Sequence, residues 1–171
     1  MIEIKKYVEL EERTRLDLDQ MAQKAFEGVE IVENTTWSTP DWSIINRHDG
    51  KIVMYYNLVV RSVDFDGTPF SVAGINNVIT HPDFQGQGYA SRTLKHTRDF
   101  IFNTLKADFG LLLCGDELVG FYKKLGWHKF SGDLIVEQPQ VGPIHWSSNT
   151  MLMSKRPIPC SKEINLNGLP W

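Results

Sequence analysis

The sequence lacks the features that mark several broad classes of protein. Only 2 of its 171 residues are cysteine, too few for the disulfide framework of a small secreted domain. No apolar run approaches the roughly 20 residues that a membrane-spanning helix needs, and the first residues contain no signal-peptide core. The net charge is only −3, so neither nucleic acid nor a membrane is expected as a partner. These absences favour a cytoplasmic protein with reduced thiols, and no metal site is predicted.

The residues that are present indicate an ordinary globular domain. Hydrophobic residues make up 42% of the chain and charged residues 23%, both typical of such domains. A length of 171 residues suits one domain. We therefore predict a single domain over residues 1–171, with an aperiodic tail at 156–171. Whether the protein is a monomer or a homodimer is left open.

Strand-like and helix-like segments predict an α+β protein with a mixed sheet. Alternation and turn residues in the first half predict an antiparallel meander with strands at 2–8, 42–47, 51–63 and 70–80. A helix capped by Thr14 and ended by Gly28 interrupts it. The second half predicts helices at 88–108 and 117–125 and strands at 110–114, 127–137 and 150–155, with a loop at 139–149. The unit from 70 to 114 is expected to be a right-handed parallel crossover.

One glycine-bearing turn stands between the last meander strand and the long helix. It reads Gln85-Gly86-Gln87-Gly88-Tyr89-Ala90. Glycine permits positive φ and close approach to the backbone, and a helix N-terminus offers unpaired N–H groups to an anion. A tight turn without a ligand explains the glycines equally well. The stretch has neither the Gly-Lys-Ser/Thr of a Walker loop nor the third glycine of a dinucleotide fingerprint.

Two motifs in this order resemble those of the GCN5-related N-acetyltransferases, which bind acetyl-CoA. The turn from Gln85 to Ala90 resembles their Gln/Arg-x-x-Gly-x-Gly/Ala signature. The stretch 121–127 resembles a second motif, in which a tyrosine precedes Gly-Phe or Gly-Trp. The resemblance covers residues 59–130. It implies a mostly antiparallel mixed sheet that is splayed between the fourth and fifth strands and flanked by helices.

The resemblance also implies where acetyl-CoA, or CoA, would lie. The diphosphate would be held by the turn and the start of the helix, at Gln85, Gly86, Gln87, Gly88, Tyr89, Ala90 and Ser91. Pantetheine would run along Val78, Ile79 and Thr80. A strand bulge that frees backbone groups would fall at Asn76 and Asn77, which are poor strand formers.

The acceptor side is expected to include two tryptophans. In the resembled family, the region after the first helix shapes the acceptor site, so Trp37 and Trp42 are candidates for a substrate wall. Packing over the core explains them equally well. Trp146, in the loop before the last strand, and the asparagine pair at 76–77 complete the predicted acceptor residues.

Tyr122 is the predicted partner of the departing thiolate, by its place in the second motif. A phenol can donate a hydrogen bond or a proton there, although spacing alone also suits a core aromatic. The sequence offers several candidates for the base that would deprotonate the amine. The candidates are Glu117, Asp116, His81 and the terminal carboxylate of Trp171, with Asp116 also suiting a helix cap and His81 a turn.

The branch of the family that the chain most resembles is the aminoglycoside 2′-N-acetyltransferases, which also end in a tryptophan. Their acceptor pocket is acidic, whereas Asn76 and the segment 145–149 carry no acid here. The expected function is therefore acetyl transfer to a primary amine of a small molecule. Aminoglycoside acetylation and a non-catalytic acyl-CoA sensor are the alternatives. Because this chain has no carboxylate at Asn76 or Asn77, where some relatives carry a glutamate, a water relay or delivery of a neutral amine remains open.

Overall fold

Ten β-strands form one mixed sheet in the computed structural model, which describes all residues from 1 to 171. The strands are β1 Ile2–Lys6, β2 Trp42–His48, β3 Lys51–Phe65, β4 Thr68–Thr80, β5 Phe109–Cys114, β6 His128–Phe130, β7 Asp133–Gln138, β8 Gly142–His145, β9 Asn149–Met153 and β10 Glu163–Asn165. The helices are α1 Glu12–Phe26, α2 Glu30–Glu33, α3 Tyr89–His96 and α4 Asp116–Lys124. None of them is long and apolar enough to cross a membrane.

The sheet is mostly antiparallel, as predicted. Strands β1 to β4 form the expected meander. Strand β5 lies parallel to β4 and is followed across the sheet by β9 and β6. On the other side, β10 lies between β3 and β7, and β8 forms the edge. The only other parallel pair is β7 with β10.

Strands β4 and β5 separate part of the way along their length. Their ladder runs from Val72–Phe109 to Ile75–Leu112 and stops there. Beyond it, β4 stays paired with β3, and β5 stays paired with β9 as far as Cys114. This gap between β4 and β5 confirms the predicted splay of the fourth and fifth strands.

A β-bulge lies beside this gap. Asn57 of β3 faces Asn76 of β4, and Tyr55 faces Ile79, so β4 has one residue more than β3 between these pairs. Asn77 takes up the irregularity with φ of 53°, a conformation that asparagine tolerates better than most residues. The bulge predicted at the asparagine pair is therefore confirmed.

Different elements pack against the two faces of the sheet. One core cluster packs β3, β4 and β5 against α3 and α4, and includes Ile75, Leu94 and Tyr122. On the opposite face, Val72, Leu111 and Trp171 pack with β7 and β10. A smaller cluster on that face joins Leu18 of α1 to Ile45, Tyr55 and Ile79. Adjacent residues of β4 thus alternate between faces, as a pleated strand requires.

Several predicted boundaries are wrong in the helices. Helix α1 begins at Glu12 with Glu11 before it, so Thr14 lies inside the helix and does not cap it. The long helix predicted for 88–108 is divided into α3 and a π-helical segment, Phe100–Thr104. Lys106, with φ of 56°, ends the helical stretch before residue 108, since a left-handed residue cannot continue a right-handed helix. Leu118 of α4, which helical spacing predicts on the same face as Phe121, Tyr122 and Leu125, is 41% exposed and does not belong to the buried face of that helix.

The second half also contains more strands than predicted. The single strand predicted for 127–137 is two strands, because the chain turns at Gly132, where a Cβ would lie 2.1 Å from the carbonyl oxygen of Lys162. Strand β6 pairs with β9, whereas β7 pairs with β8 and β10. Strand β8 lies in the predicted loop and β10 in the predicted tail. Each is short, so its pattern carries little signal.

Candidate active site

The turn between β4 and α3 lines a cavity of about 300 Å³. Gly86 and Gly88 have φ of 72° and 77°, which confirms that the turn needs left-handed residues. Besides residues of the turn, Thr80, Phe84 and Phe121 line the cavity. The first predicted motif therefore lies together with the start of the second.

Six consecutive backbone N–H groups, from Gly86 to Ser91, donate to no acceptor in the protein. Neighbouring side chains bond instead to carbonyl oxygens: Gln85 Nε2 to that of Thr80 (3.2 Å), Gln87 Nε2 to that of Asp83 (3.0 Å), Ser91 Oγ to that of Gly88 (3.2 Å) and Arg92 Nη1 to that of Gln87 (2.8 Å). The donors thus remain available at a helix N-terminus, an arrangement that suits a diphosphate.

The three residues predicted to lie along pantetheine share an edge of β4 but not a face. Val78 packs against the core beneath α3 and α4. Ile79 is buried on the α1 side. Thr80 lines the cavity. Ile79 and Thr80 pair with β3, Val78 lies in the bulge, and none of the three pairs with β5.

Tyr122 is both a core aromatic and a candidate catalytic group. Only 4% of the residue is exposed, and its ring meets the rings of Phe121 and Trp127 edge to face at 5.1 and 6.1 Å. Its hydroxyl forms no hydrogen bond in the protein, yet it is not among the fully enclosed unpaired atoms. Burial, with a smaller effect from Cys114, raises the pKa of Tyr122 above 10.0. The phenol is therefore protonated at neutral pH.

Cys114 lies at the end of β5, on the same face as Tyr122. Burial, followed by the carboxylates of Glu117 and Asp116, raises the pKa of this thiol to about 11. It is thus a thiol at neutral pH, and thiols are poor nucleophiles compared with thiolates.

The predicted bases occupy different surroundings. Glu117 is exposed in the first turn of α4, and its carboxylate folds over Gly115, where a Cβ would lie 2.5 Å from either oxygen. Asp116 accepts a hydrogen bond from Asn149 Nδ2 at 2.8 Å. The residue before the helix is Gly115, with no side-chain cap, so the prediction that Asp116 caps α4 is wrong. His81 Nδ1 accepts from the N–H of Asp83 at 3.3 Å, as a turn residue does.

The Trp171 indole lies across the sheet from Tyr122. Its Nε1 donates to the carbonyl oxygen of Leu111 at 3.2 Å, and its ring covers Gly74 of β4. The guanidinium of Arg61 lies 5.5 Å from the ring centroid. The indole thus spans β4 and β5 immediately before the gap.

Trp37 and Trp146, both predicted acceptor residues, are in contact. Their rings meet edge to face with centroids 5.6 Å apart. Trp37 Nε1 donates to the carbonyl oxygen of Val32 at 3.1 Å, and Trp146 packs against the cluster that contains Trp171. Trp42 instead packs with Phe100 at 5.1 Å on the opposite face, so it covers the core.

Asn76 stands at the opening of the gap. It is the first β4 residue beyond the last β4–β5 pair, and the alternation of β4 places it on the face of Gly74 and Trp171. Its Oδ1 is the one buried side-chain polar atom that has no hydrogen-bond partner. Asn77, next to it, forms the bulge.

Arg61 is a residue of this region that the sequence does not single out. Its Nη1 donates to the carbonyl oxygens of Leu166 (3.2 Å) and Leu169 (2.9 Å), and its Nη2 donates to Ser38 Oγ (2.8 Å). Ser38 N–H in turn donates to the carbonyl oxygen of Pro170. Arg61 thereby joins the segment next to Trp37 to the C-terminal segment. The only signal in the sequence is a cation within the apolar pattern of β3.

The comparisons with known proteins agree with this geometry. A family model described as "Acetyltransferase (GNAT) domain" matches residues 3–130. No curated protein sequence matches the chain.

Solved structures share the fold at low sequence identity. Escherichia coli ElaA is 14% identical, with a TM-score of 0.65 over 90% of this chain and 99% of that chain. Escherichia coli YhbS, a GNAT family N-acetyltransferase in complex with CoA, is 15% identical, with a TM-score of 0.66 over 97% and 88%. A Brucella melitensis GNAT family acetyltransferase in complex with acetyl-CoA is 15% identical, with a TM-score of 0.61 over 96% and 94%.

The family match spans most of the chain and includes both motifs. The splayed sheet and the glycine-bearing turn are the structural counterparts of that match. The chain therefore belongs to the GNAT acetyltransferase family.

Proposed function

We propose that the protein moves an acetyl group from acetyl-CoA to a primary amine of a small molecule by direct attack. The observation that carries this proposal is the run of unpartnered N–H groups from Gly86 to Ser91, which opens into the cavity beside the β4–β5 gap. Such a run at a helix N-terminus suits the diphosphate of CoA. When bound, acetyl-CoA supplies the acetyl group as a thioester.

The chain's own groups that take part in the reaction lie on both faces of the sheet. The free edge of β4 at Val78, Ile79 and Thr80 offers main-chain groups to pantetheine. The Tyr122 hydroxyl, protonated because of its raised pKa, has a proton to donate to the departing sulfur. The acceptor enters from the opposite face, past Trp37, Trp146, Asn76 and Asn77. Glu117 and the carboxylate of Trp171 stay the proposed proton acceptors.

We place the tail at 156–171 beside this acceptor side, within the single domain proposed for residues 1–171. It is tied there by Arg61, which bonds to Leu166, Leu169 and Ser38, next to Trp37. A cytoplasmic location fits the two free cysteines, one buried and one exposed.

Cofactor binding is tested by thermal unfolding with acetyl-CoA, CoA, ADP or no addition. At a ligand concentration 100 times Kd, stabilisation should reach about 2.7 kcal/mol, a rise of several degrees in Tm. ADP should give a smaller rise in Tm. Equal shifts in Tm with acetyl-CoA, CoA and ADP, or no shift with any of them, would contradict the proposal. Release of free CoA thiol with a panel of primary amines then tests transfer.

Two alternatives are separated by the same assays. Aminoglycoside 2′-acetylation is favoured by the Trp171 indole at the gap, whereas the uncharged Asn76 and tryptophan pair count against a polycation. Aminoglycoside 2′-acetylation predicts that free CoA thiol is released faster with aminoglycosides than with other amines. A non-catalytic sensor is favoured by the lack of a carboxylate at Asn76, and predicts stabilisation by acetyl-CoA with no thiol release for any amine.

A further inference from the structure

Three adjacent strands carry polar side chains directly opposite one another. Ser43 of β2 faces Asn57 of β3, and Asn57 faces Asn76 of β4. Ser43 and Asn57 are buried. Their neighbours Ile44 and Leu58 belong to the core beneath α3 and α4, so this polar row points to the opposite, acceptor face.

The polar row is bonded at one end and free at the other. Ser43 Oγ donates to Asn57 Oδ1 at 2.7 Å. Asn76 Oδ1, at the gap, has no donor although it is buried. Because buried polar atoms are nearly always paired, an unpaired acceptor beside the β4–β5 gap indicates a ligand's donor as its partner.

The chemistry of this end is that of a neutral hydrogen-bond acceptor. An amide oxygen accepts a hydrogen bond but does not take up a proton near neutral pH. No Asp, Glu or His side chain bonds or ion-pairs with a member of the row. An ammonium group would therefore lose its hydration there without a charged side chain of the row to replace it. A neutral amine would donate one N–H and keep its lone pair for attack.

An aromatic pair lies on the same face of the sheet. Trp146 packs with the cluster of Trp171, and Trp37 meets Trp146 edge to face. Aromatic walls favour flat, apolar groups over polycations that bring no aromatic surface. The Trp37–Trp146 pair and the polar row thus both favour an uncharged acceptor.

We propose that Asn76 Oδ1 binds the acceptor amine, and that the acceptor is a weakly basic primary amine, such as an aromatic amine, that is neutral at working pH. This rests on the proposed acetyl transfer. In that step the N–C bond forms and the C–S bond breaks. The amine nitrogen gives up one proton, and the sulfur takes one.

The test compares Asn76→Leu, Asn76→Asp and the wild type with aniline and an alkylamine as acceptors. Asn76→Leu should raise KM for aniline about tenfold, as expected for one lost hydrogen bond, with KM for acetyl-CoA unchanged. Its Tm should hold or rise, because an unpaired buried group is removed. Asn76→Asp should shift the preference towards the alkylamine, since a carboxylate pairs with an ammonium group.

Asn46→Leu is the matched control. Asn46 is a buried asparagine of β2 on the other face, and its Nδ2 donates to Thr93 Oγ1 at 2.9 Å. Its replacement should lower Tm and leave KM for aniline unchanged. The proposal for Asn76 is overturned if Asn76→Leu keeps the wild-type KM, if it lowers Tm as Asn46→Leu does, or if the wild type prefers the alkylamine. Binding of acetyl-CoA without transfer to any amine overturns the acetyl-transfer proposal and, with it, this one.

Discussion

The indole of Trp171 occupies the space that a side chain at position 74 would need. A Cβ on Gly74 would lie 2.0 Å from Cε2 of Trp171, closer than real Cβ contacts come. The indole also donates to Leu111 of the adjacent strand. The fit between Gly74 and Trp171 therefore holds the C-terminal segment against β4 and β5 just before they separate.

Gly74→Ala should displace the indole and lower the free energy of unfolding by about 1–3 kcal/mol, as overpacked core sites do. Denaturant unfolding measures it. The control is Gly120→Ala in α4, where nothing lies within 4 Å of the added Cβ. That change should raise stability by about 0.5–1 kcal/mol, the helix propensity difference. Equal effects of the two variants would contradict the packing described here.

Gly86→Ala and Gly88→Ala should weaken binding of acetyl-CoA about tenfold each. Both glycines have left-handed φ, which costs other residues roughly 1–2 kcal/mol and would move the N–H groups of the turn. Calorimetric titration measures the affinity. Gly67→Ala matches the backbone strain, with φ of 80° and open space around it, but lies in the β3–β4 turn. A weaker affinity in Gly67→Ala would show a global effect instead.

Tyr122→Phe should lower kcat by about a hundredfold or more, the range of a positioned general acid. Affinity for acetyl-CoA should change little, because the ring remains in the core. Since the Tyr122 pKa is raised above 10.0, its ionisation should not reduce wild-type activity below about pH 10. Steady-state rates from pH 6 upward, with unfolding followed in parallel, check both points. A variant with unchanged kcat would leave Tyr122 a core residue only.

Alkaline pH should unfold the protein through three buried tyrosines. Burial raises the pKa of Tyr55, Tyr56 and Tyr122 above 10.0. The folded state therefore keeps these protons after the unfolded state has lost them. Stability is complete below pH 10 and should fall above it by about 1.4 kcal/mol per pH unit for each such tyrosine. Tyrosinate absorbance and circular dichroism should change together. Full ionisation in the folded state would contradict this.

Arg61→Ala should loosen the C-terminal segment. It removes hydrogen bonds to Leu166, Leu169 and Ser38, which together should cost about 2 kcal/mol or more. Amide hydrogen exchange should quicken in 166–170 and KM for the amine should rise. Arg13→Ala is the control, because Arg13 forms only an exposed pair with Asp17, worth little. Unchanged exchange in 166–170 would contradict the role of Arg61.

The sequence predicts the first half of the fold well for a physical reason. Strands β2, β3 and β4 are long, β-branched and joined by tight turns, so local pattern and tertiary pairing agree. The bulge is implied by the family resemblance, and Asn76 and Asn77 are consistent with it because they are poor strand formers. The turn at Gly86 and Gly88 is predicted equally well from backbone freedom alone.

The features that the sequence does not predict depend on distant partners. Strand β10 exists because β3 and β7 lie on either side of it, and three residues alone have little strand signal. The contact between Trp37 and Trp146 joins segments far apart in the chain. Likewise, nothing in the local sequence pairs Ser43 with Asn57, or gives Arg61 its carbonyl acceptors.

The extra residue in β4 has a consequence for insertions and deletions. Because side chains alternate along a strand, the bulge at Asn77 reverses which face every later residue takes. It directs Ile79 beneath α1 and Thr80 to the cavity. Loss of Asn77 alone would place Val78 opposite Tyr56 and keep Ile79 opposite Tyr55, so the ladder would become regular and these directions would not change. A homologue shortened by this residue should therefore need no compensating deletion in β3, whereas loss of a paired residue such as Ile79 would turn Thr80 towards α1.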